Sequence, residues 1–441
     1  MIKIKRFENN KFKTNEIAVF ATIKQTQENA TKNALIPAVL RRGSTNYRNQ
    51  LEISKKLENM YGASFNCGVD KSGDYIILKF FIETINNEYS DSKENLAQEA
   101  FNLLTDIVFN PLVENDGFNI NYVKQEKDNL AKIINSKKDD KANYAYQRCV
   151  EEMFKNSPYG IYKYGSLQDL EKINEKNLYE YYLNIIQNNP IFIYINGKNA
   201  NSINVDENIN NNFKIAFNNN SNEYNENDDL QGKNENNEIE DNKNTEIKDN
   251  KDIEIVDNKN TKLEALQPIN IVKEKLDVTQ GKLIIGLNAP SENKYAVTMY
   301  NTILGGGANS KLFQNVREKE SLAYYASSRY IRRKNAIIIR TGIELANYDK
   351  AVKVIKEQLE EMKKGNISDY ELASAKTLIL ASLKLIPESQ EDIMAFDFDQ
   401  DVFNENLTFE QYYKKIENIT LKEIIDVANQ VKINTIYYLE K

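Results

Sequence analysis

The order of predicted helices and strands occurs twice along this chain of 441 residues. In each half, helical periodicity precedes two strands, further helices follow, and a last strand closes the series. Residues 71–77 correspond to residues 332–338, and at a nearly equal offset Arg42-Gly43-Ser44 corresponds to a run of three glycines. Two tandem α+β units of one topology are the simplest explanation. Chance recurrence of the helix–helix–strand–strand order is the alternative.

The hydrophobic pattern predicts the individual elements of both halves. Strands are expected at residues 12–25, 63–67, 75–82 and 191–195, and again at 282–287, 323–330, 336–342 and 435–439. Helices are expected at residues 30–41, 50–60, 95–109, 119–154 and 167–183, and again at 293–303, from 310 onwards, and at 349–364, 369–385 and 410–431. We therefore predict an α+β fold with two sheets, each backed by helices.

One segment interrupts this repeat. Residues 219–262 consist largely of Asn, Glu, Asp and Lys, and residues 223–262 contain 13 acidic and 6 basic side chains, which accounts for the formal net charge of −7. Such a composition cannot bury enough apolar surface to offset the entropy lost on ordering. We predict a flexible linker here, between an N-terminal domain of residues 1–218 and a C-terminal domain of residues 263–441. An interaction role for the acidic run is the alternative.

The composition excludes several classes of site. The chain has no histidine, so neither a Ser-His nor a Cys-His pair can form. Its two cysteines, Cys67 and Cys149, are too few for a disulfide framework, and we expect both to be unreactive core residues. Outside the acidic segment the charges balance, so no nucleic-acid partner is expected. No apolar run reaches the ~18 residues of a membrane span, and no signal peptide is visible. We expect a soluble cytoplasmic protein.

The glycines Gly305, Gly306 and Gly307 lie between two predicted helices. A phosphate-binding loop would need a preceding strand and a Gly-Lys-Ser or Gly-Lys-Thr ending, and this segment has neither. A helix C-cap followed by an N-cap at Asn309 or Ser310 is the plain structural interpretation. A loop of this kind can also border a binding site.

Residues 304–325, which include these glycines, resemble the C-terminal signature of the M16 (insulinase/pitrilysin) zinc peptidases of the M16B type. Shorter stretches at residues 11–15, 61–64 and 139–145 extend the resemblance over nearly the whole chain outside residues 219–262. The resemblance implies two tandem homologous domains of the LuxS/MPP-like metallohydrolase type, each a mixed sheet backed by helices. It also implies that Gly305, Gly306 and Gly307 form a flexible substrate-binding loop at the peptide chamber.

The zinc site of that family has no counterpart in this sequence. M16 enzymes carry H-x-x-E-H on a helix, in which two histidines bind zinc and the glutamate acts as general base on a zinc-bound water. Aligned on the glycine that follows the motif, the histidine positions fall on Ala34 and Ala38 and the glutamate position on Pro37. The third ligand position falls on Ile133, although Glu126 occupies a family-type acidic position in the same helix. We therefore expect no metal and no cofactor in this chain.

The other half of the family's machinery does have a counterpart. The resemblance assigns Arg317 and Tyr324 as catalytic residues, because their guanidinium and phenol donors suit the oxyanion formed when a peptide bond is attacked. We expect a helix to end near Ser321 and a strand to begin at Leu322, so the two side chains converge only if the fold brings them together. Without the resemblance, a solvated arginine and a strand tyrosine would be the plainer interpretation.

In some M16B peptidases one subunit carries the zinc motif and the other carries the arginine–tyrosine pair. This chain resembles the second kind, and more narrowly the YfmF-like proteins, which are expected to pair with a zinc-bearing YfmH-like relative. The implied function is the non-zinc subunit of a heterodimeric metallopeptidase, inactive alone, with Arg317 and Tyr324 acting in trans on a polypeptide and zinc bound by the partner. The alternative is a catalytically inactive scaffold or peptide-binding protein of the same fold.

Overall fold

A computed structural model describes residues 2–91, 94–205, 215–217 and 268–441. The N-terminal half contains strands β1 (Ile2–Glu8), β2 (Thr14–Lys24), β3 (Ser64–Ser72), β4 (Tyr75–Ile85), the short pair β5 (Val113–Glu114) and β6 (Gly117–Phe118), β7 (Ile191–Gly197) and β8 (Ile215–Phe217). Its helices are α1 (Gln27–Leu40), α2 (Gln50–Asn59), α3 (Leu96–Phe109), α4 (Ile120–Asn135), α5 (Lys141–Met153), α6 (Leu167–Glu171) and α7 (Glu175–Asn188).

The C-terminal half contains strands β9 (Asn270–Lys275), β10 (Gly281–Asn288), β11 (Ala323–Ile331), β12 (Ala336–Ile343) and β13 (Lys432–Glu440). Its helices are α8 (Lys294–Gly305), a π-helix (Leu312–Lys319), α9 (Tyr348–Lys363), α10 (Asp369–Leu385), α11 (Gln390–Phe403), α12 (Phe409–Glu417) and α13 (Leu421–Gln430). Within the described ranges, no helix has both the length and the apolarity that a membrane crossing requires.

The two halves share one sheet topology. The N-terminal sheet has the strand order β3-β4-β2-β7-β1-β8, and the C-terminal sheet has the order β11-β12-β10-β13-β9. Corresponding strand pairs also have the same relative direction. The first four strands in each order are antiparallel to their neighbours. The fifth strand is parallel to the fourth, as β1 is to β7 and β9 is to β13. Two mixed sheets of the same order confirm the predicted pair of homologous α+β units.

Each sheet is covered on both faces, as the central strand β2 illustrates. Successive side chains of a strand point to opposite faces, and both sets are apolar here. One set joins the core under the half's own helices, and the other joins a second core on the opposite face. The first set is Ile17, Val19, Ala21 and Ile23, and the second is Ala18 and Phe20.

The second cores are formed by an exchange of helices between the halves. Helix α11 of the C-terminal half packs Met394, Phe398 and Val402 onto the N-terminal sheet. Helix α5 of the N-terminal half packs Tyr144, Ala145 and Cys149 onto the C-terminal sheet. A fully buried large apolar side chain contributes about 1.5–3 kcal/mol, so this exchange fastens the two halves to each other.

The corresponding segments 71–77 and 332–338 meet at the junction of the halves. Lys334 Nζ donates to Asp74 Oδ1 at 2.8 Å. A Cβ on Gly73 would lie 3.1 Å from Arg333 Cβ, and the φ of Gly73 is +55°, where glycine is favoured. The turns of the two related hairpins are therefore in direct contact.

The structure differs from the sequence prediction at several elements. Strands β1 and β9 and helix α11 were not predicted, and the helix expected over 119–154 is two helices, because Asp140 caps the start of α5. The helix expected over 410–431 is likewise divided, with Thr420 capping α13. The predicted linker 219–262 and the domain boundaries beside it lie outside the described residues.

Candidate functional site

Helix α1 carries the positions that replace the zinc ligands. Its first turn is closed by Thr26, whose Oγ1 accepts from the backbone N–H of Asn29 at 3.3 Å. Pro37 is buried within the helix, and its carbonyl accepts from the backbone N–H of Arg41 at 3.2 Å and from Cys67 Sγ at 3.3 Å. Ala34 is half-buried against the core. At these positions α1 presents methyl groups and a proline ring, with no ligand atom.

The acidic position on α4 is bound to a cation of this chain. Glu126 is buried, and its carboxylate accepts from Arg42 and from Asn129 Nδ2 at 3.3 Å. Ile133, at the predicted third ligand position, exposes 43% of its surface. Among the described residues no group of three or more Cys, Asp or Glu side chains is placed to hold a metal ion. The donor set therefore does not fit zinc.

Neither cysteine is placed as a nucleophile. Burial raises the pKa of the Cys67 thiol to about 11, and that of Cys149 to about 12. A thiol reacts as the thiolate, so both side chains stay protonated and unreactive at neutral pH. Cys149 is a buried core residue as predicted, whereas Cys67 is only partly buried and packs against the edge of the core.

The three glycines are packed to different degrees. Gly305 is buried at the end of α8, where an added Cβ would lie 2.6 Å from both the backbone N and the Oγ of Ser328 on β11. At Gly307 such a Cβ would meet only the end of the Leu378 side chain, at 3.0 Å. The first glycine therefore permits the closest approach of α8 to β11, whereas the last one lies at the surface end of the run.

The caps around the glycines differ in part from the prediction. Gly306 is the C-cap of α8, and its N–H donates to the Thr302 carbonyl at 3.0 Å, as a C-cap should. The predicted N-cap is wrong: Ser310 Oγ donates to the Gly307 carbonyl at 2.6 Å, and the next helix has no side-chain cap. A hydroxyl engaged in closing the glycine turn is not aimed at the first amides of a helix.

Arg317 lies on the π-helix that follows this turn. The Arg317 guanidinium is 4.5 Å from the Phe313 ring centroid, and its side chain is 41% exposed. Its only carboxylate neighbour among the described residues is Glu318, with Nε and Oε1 3.6 Å apart. A π-helix is rare and often occurs at functional sites. The cation is thus presented to solvent without a close ion pair.

Polar contacts connect the start of the π-helix to α9, to α10 and to the loop between them. Lys311 is buried and pairs with Glu371 at 2.9 Å, and its Nζ also donates to the Asn366 carbonyl at 2.6 Å. Asn315 Nδ2 donates to Gln358 Oε1 at 2.9 Å. These contacts fix the helix that carries Arg317.

Tyr324 is the extra residue of a β-bulge at the start of β11. Ala323 pairs with Ile343 and Tyr325 with Gly342, so Tyr324 has no partner on β12. A bulge turns a side chain away from the regular alternation of its strand. Tyr324 is 53% exposed, and its hydroxyl donates to Glu344 Oε1 at 2.9 Å. That hydrogen bond raises the pKa of Tyr324, which remains a protonated donor at neutral pH.

A short chain reversal brings Arg317 and Tyr324 to the same end of β11. The helix ends at Lys319, Ser321 has a φ of +50°, and the Leu322 N–H returns to the Val316 carbonyl at 3.0 Å. The predicted change from helix to strand near 321–322 is thus confirmed. Glu344, the acceptor for Tyr324, was missed, because no spacing in the sequence links the end of β12 to the start of β11.

Comparisons with known proteins agree with the fold and with the resemblance. Residues 229–379 match the family described as Peptidase M16 inactive domain. The chain is 30% identical over 437 residues, 98% of its length and 94% of the relative's, to "Probable inactive metalloprotease YmfF" of Bacillus subtilis (strain 168). This relative is named as a probable inactive member of the family that the sequence resembles.

Solved structures share the fold over nearly the whole chain. A conserved protein from Enterococcus faecalis V583 has a TM-score of 0.80 with 24% identity, covering 99% of this chain and 96% of that one. A peptidase M16 inactive domain from Pseudomonas fluorescens has a TM-score of 0.74 with 15% identity, covering 99% and 95%. With the near full-length relative, these findings show that the chain belongs to the M16 (insulinase/pitrilysin) peptidase family.

Proposed function

We propose that this chain is the non-zinc subunit of a heterodimeric M16B-type metallopeptidase. The observation that carries the proposal is the placement of two exposed donors, Arg317 on a π-helix and Tyr324 on a bulge, at one end of β11. The replacement of the zinc ligands and general base in α1 supports a division of labour between subunits. The partner is a zinc-bearing relative of the same family, and the chain alone is inactive.

The proposed role of the two residues is to stabilise charge on the substrate. Zinc, bound in the partner, would supply the activated water for attack on the peptide carbonyl. The guanidinium of Arg317 offers N–H donors with a positive charge, and the phenol of Tyr324 donates a hydrogen bond. Both donors act in trans on the carbonyl oxygen as it becomes an oxyanion, where a single donor is worth about 10²–10³ in rate.

The polypeptide would bind as an added strand. β11 is an edge strand of its sheet among the described residues, so its unpaired backbone groups are available to an extended peptide. Main-chain hydrogen bonds at this edge would bring the scissile carbonyl alongside Tyr324. Gly305, Gly306 and Gly307 support this arrangement, since they allow α8 to approach β11 closely and leave the adjoining loop without side chains.

Engagement of the substrate requires Tyr324 to exchange its acceptor. In the free chain the hydroxyl donates to Glu344, and the oxyanion would take the place of that carboxylate. Because both groups are at the surface, water can replace the lost contact and the exchange costs little.

The test is cleavage of an unstructured peptide by this chain mixed with its zinc-bearing relative and zinc. We expect Arg317→Ala and Tyr324→Phe each to lower kcat/KM by about 10² or more, with complex formation on size-exclusion chromatography unchanged. Lys319→Ala, in the same π-helix, and Tyr370→Phe, another exposed tyrosine, are matched controls. If the complex forms and all four variants cleave at the parent rate, the catalytic role in trans is wrong.

A non-catalytic scaffold or peptide-binding protein is the second candidate. It is favoured by the Tyr324–Glu344 hydrogen bond, which gives the tyrosine a structural partner within the chain. This alternative predicts that the variants change neither cleavage by the complex nor the affinity for peptide.

A further inference from the structure

Three cations cross the α5-covered face of the C-terminal sheet. Lys282 lies on β10, Arg340 on β12 and Arg329 on β11. Lys282 pairs with Gly342 and Arg340 pairs with Ser327, and residues paired across neighbouring strands point to the same face. Side chains two residues apart on one strand also share a face, so Arg340 is on the face of Gly342 and Arg329 is on the face of Ser327. All three cations therefore lie on one face of the sheet. We call Lys282, Arg340 and Arg329 the cationic stripe.

No member of the stripe forms an ion pair with a carboxylate of the described chain. Within the described part of the chain none of its members lies within 4.0 Å of an acidic oxygen. Arg340 Nη2 instead donates to Asn143 Oδ1 at 3.2 Å, and Lys282 Nζ donates to Gln280 Oε1 at 3.3 Å. Asp140 interacts electrostatically with Lys282 and Arg340, and it accepts hydrogen bonds from the Ala142 and Asn143 amides at the start of α5.

Aromatic rings frame the stripe. Tyr325 packs over Gly342, where a Cβ would lie 2.5 Å from the ring, and Lys282 Nζ is 5.9 Å from the Tyr325 ring centroid. Arg340 lies 5.1 Å from the ring centroid of Tyr146 on α5. Partial burial lowers the pKa of Lys282. Lys282 and Arg340 are half-buried and Arg329 is exposed, so an incoming anion would be screened least at the inner end of the stripe.

The stripe is continuous with the candidate site. Tyr324 and Tyr325 are successive residues of β11, and Gln280, which accepts from Lys282, also interacts with the Tyr324 hydroxyl. From Tyr324 the positive charges run along the same sheet towards Arg329 near the other end of the strand. A peptide bound along β11 would therefore pass the stripe.

We propose that the cationic stripe is a specificity subsite for acidic side chains of the bound polypeptide. The inference rests on the proposed function in one respect, that the chain binds an extended peptide at β11. Because Arg340 pairs with Ser327, Arg329 and Arg340 are offset by two residues along the strand direction, and alternate side chains of an extended peptide have the same spacing of about 6.8 Å. A peptide with Glu or Asp at alternate positions can thus meet both guanidinium groups.

The observations favour a peptide over a nucleic acid. The stripe has three cations, lies beside a sheet edge and is bordered by α5, whereas a nucleic-acid surface tracks a phosphate backbone with a larger basic face. Guanidinium groups bind carboxylates in pairs of parallel hydrogen bonds, which suits Glu and Asp side chains.

Binding of labelled peptides to the full chain without partner or zinc tests the subsite. The probe is an extended peptide of about ten residues with three alternating Glu, and its matched control has Gln at those positions. We expect the Glu peptide to bind about tenfold more tightly at low salt, with the preference lost at high salt. The double variant Arg329→Gln/Arg340→Gln should remove the preference, and Arg329→Lys/Arg340→Lys should restore most of it.

The control variant is Lys172→Gln/Lys353→Gln, which removes two well-exposed cations elsewhere on the surface. Its preference for the Glu peptide should stay within about twofold of the parent's. The subsite would be overturned if the parent chain bound the Glu and Gln peptides equally, or if the control variant lost as much of the Glu preference as the stripe variant does. Tighter binding of a single-stranded oligonucleotide that the stripe variant abolishes would overturn it too. Because no cleavage is measured, failure here is distinguishable from failure of the Arg317 and Tyr324 experiment.

Discussion

The two halves of this protein have the same sheet but opposite kinds of site. In the N-terminal half, the position of the family's zinc site is closed: Glu126 is buried against Arg42, and Pro37 accepts from Cys67. In the C-terminal half, Arg317 and Tyr324 point their donors outward. The first site is buried and satisfied from within the chain, whereas the second is exposed: Tyr324 donates to Glu344, and Arg317 has only Glu318 as a carboxylate neighbour among the described residues.

This difference follows from the free-energy cost of an unpaired polar group, which is large in a buried environment and small at the surface. A buried carboxylate needs a charged or hydrogen-bonded partner, so Glu126 without a metal has one in Arg42. Exposed donors carry no such penalty and add little stability. Folding alone therefore does not require an arginine on a π-helix or a tyrosine in a bulge, and the proposed role in substrate binding would account for their placement.

The largest expected effect comes from disrupting the packing of Gly305 beneath the site that contains Arg317 and Tyr324. Gly305→Ala would place a methyl group 2.6 Å from Ser328 and 2.9 Å from Leu312 Cδ1. We expect a loss of about 2–3 kcal/mol in the free energy of unfolding, because backbone must shift to relieve the overlap. Gly307→Ala, which meets only the movable end of Leu378, should change stability by less than about 0.5 kcal/mol. Denaturant unfolding of both variants measures this, and equal losses would contradict the packing role of Gly305.

The second-largest effect comes from removing Arg42, the cation that is paired with Glu126. Arg42→Ala leaves the Glu126 carboxylate, whose side chain is only 9% exposed, without its cation. We expect a loss of about 2 kcal/mol, less than for a fully buried pair because Arg42 is partly exposed. Adding Glu126→Gln should recover more than half of that loss in the same unfolding assay. A double variant no more stable than Arg42→Ala would show that the guanidinium acts through packing rather than charge.

The smallest effect concerns the contact between the halves. Glu16 on β2 faces Glu83 on the neighbouring strand and Glu391 and Asp392 on α11, and burial followed by these charges raises its pKa from 4.5 to about 7. The folded state therefore binds more protons than the unfolded chain between pH 4.5 and pH 7, so this group makes stability fall as the pH rises through that window.

Glu16→Gln should remove this dependence. We expect it to raise the free energy of unfolding by about 1–2 kcal/mol at pH 8 and to have little effect near pH 5. Thermal or denaturant unfolding across this range measures the change, with Glu58→Gln, an exposed carboxylate on α2, as the control. A stabilisation that is the same at both pH values would rule out repulsion between ionised carboxylates as the cause.

Prediction from sequence succeeded where the pattern is local. The apolar runs of β2 and β12 and the helical periodicity of α10 were recognisable directly, and the order of elements indicated the duplication. It failed for β1 and β9, which are short strands with polar residues at alternating positions, and for α11. That helix has apolar side chains scattered among acids, and its partner is a sheet of the other half.

The features of the candidate site likewise divide into those that the sequence reveals and those that only the structure reveals. The lack of histidine and the run of glycines are visible in the sequence itself, whereas the positions of the missing zinc ligands and the roles of Arg317 and Tyr324 come from the family resemblance. The bulge at Tyr324, its hydrogen bond to Glu344 and the cationic stripe are not visible, because each depends on which strands become neighbours.

By itself, the sequence determined the chemistry that this chain lacks and the donors that it has, as well as the twofold α+β plan. Those properties depend on residue types and on short-range periodicity. Only the tertiary structure decided that Glu126 is paired with Arg42, that Tyr324 points outward, and that Lys282, Arg340 and Arg329 share a face. The physical reason is that strand register and helix exchange join residues far apart in the chain, and no local pattern encodes which of them will meet.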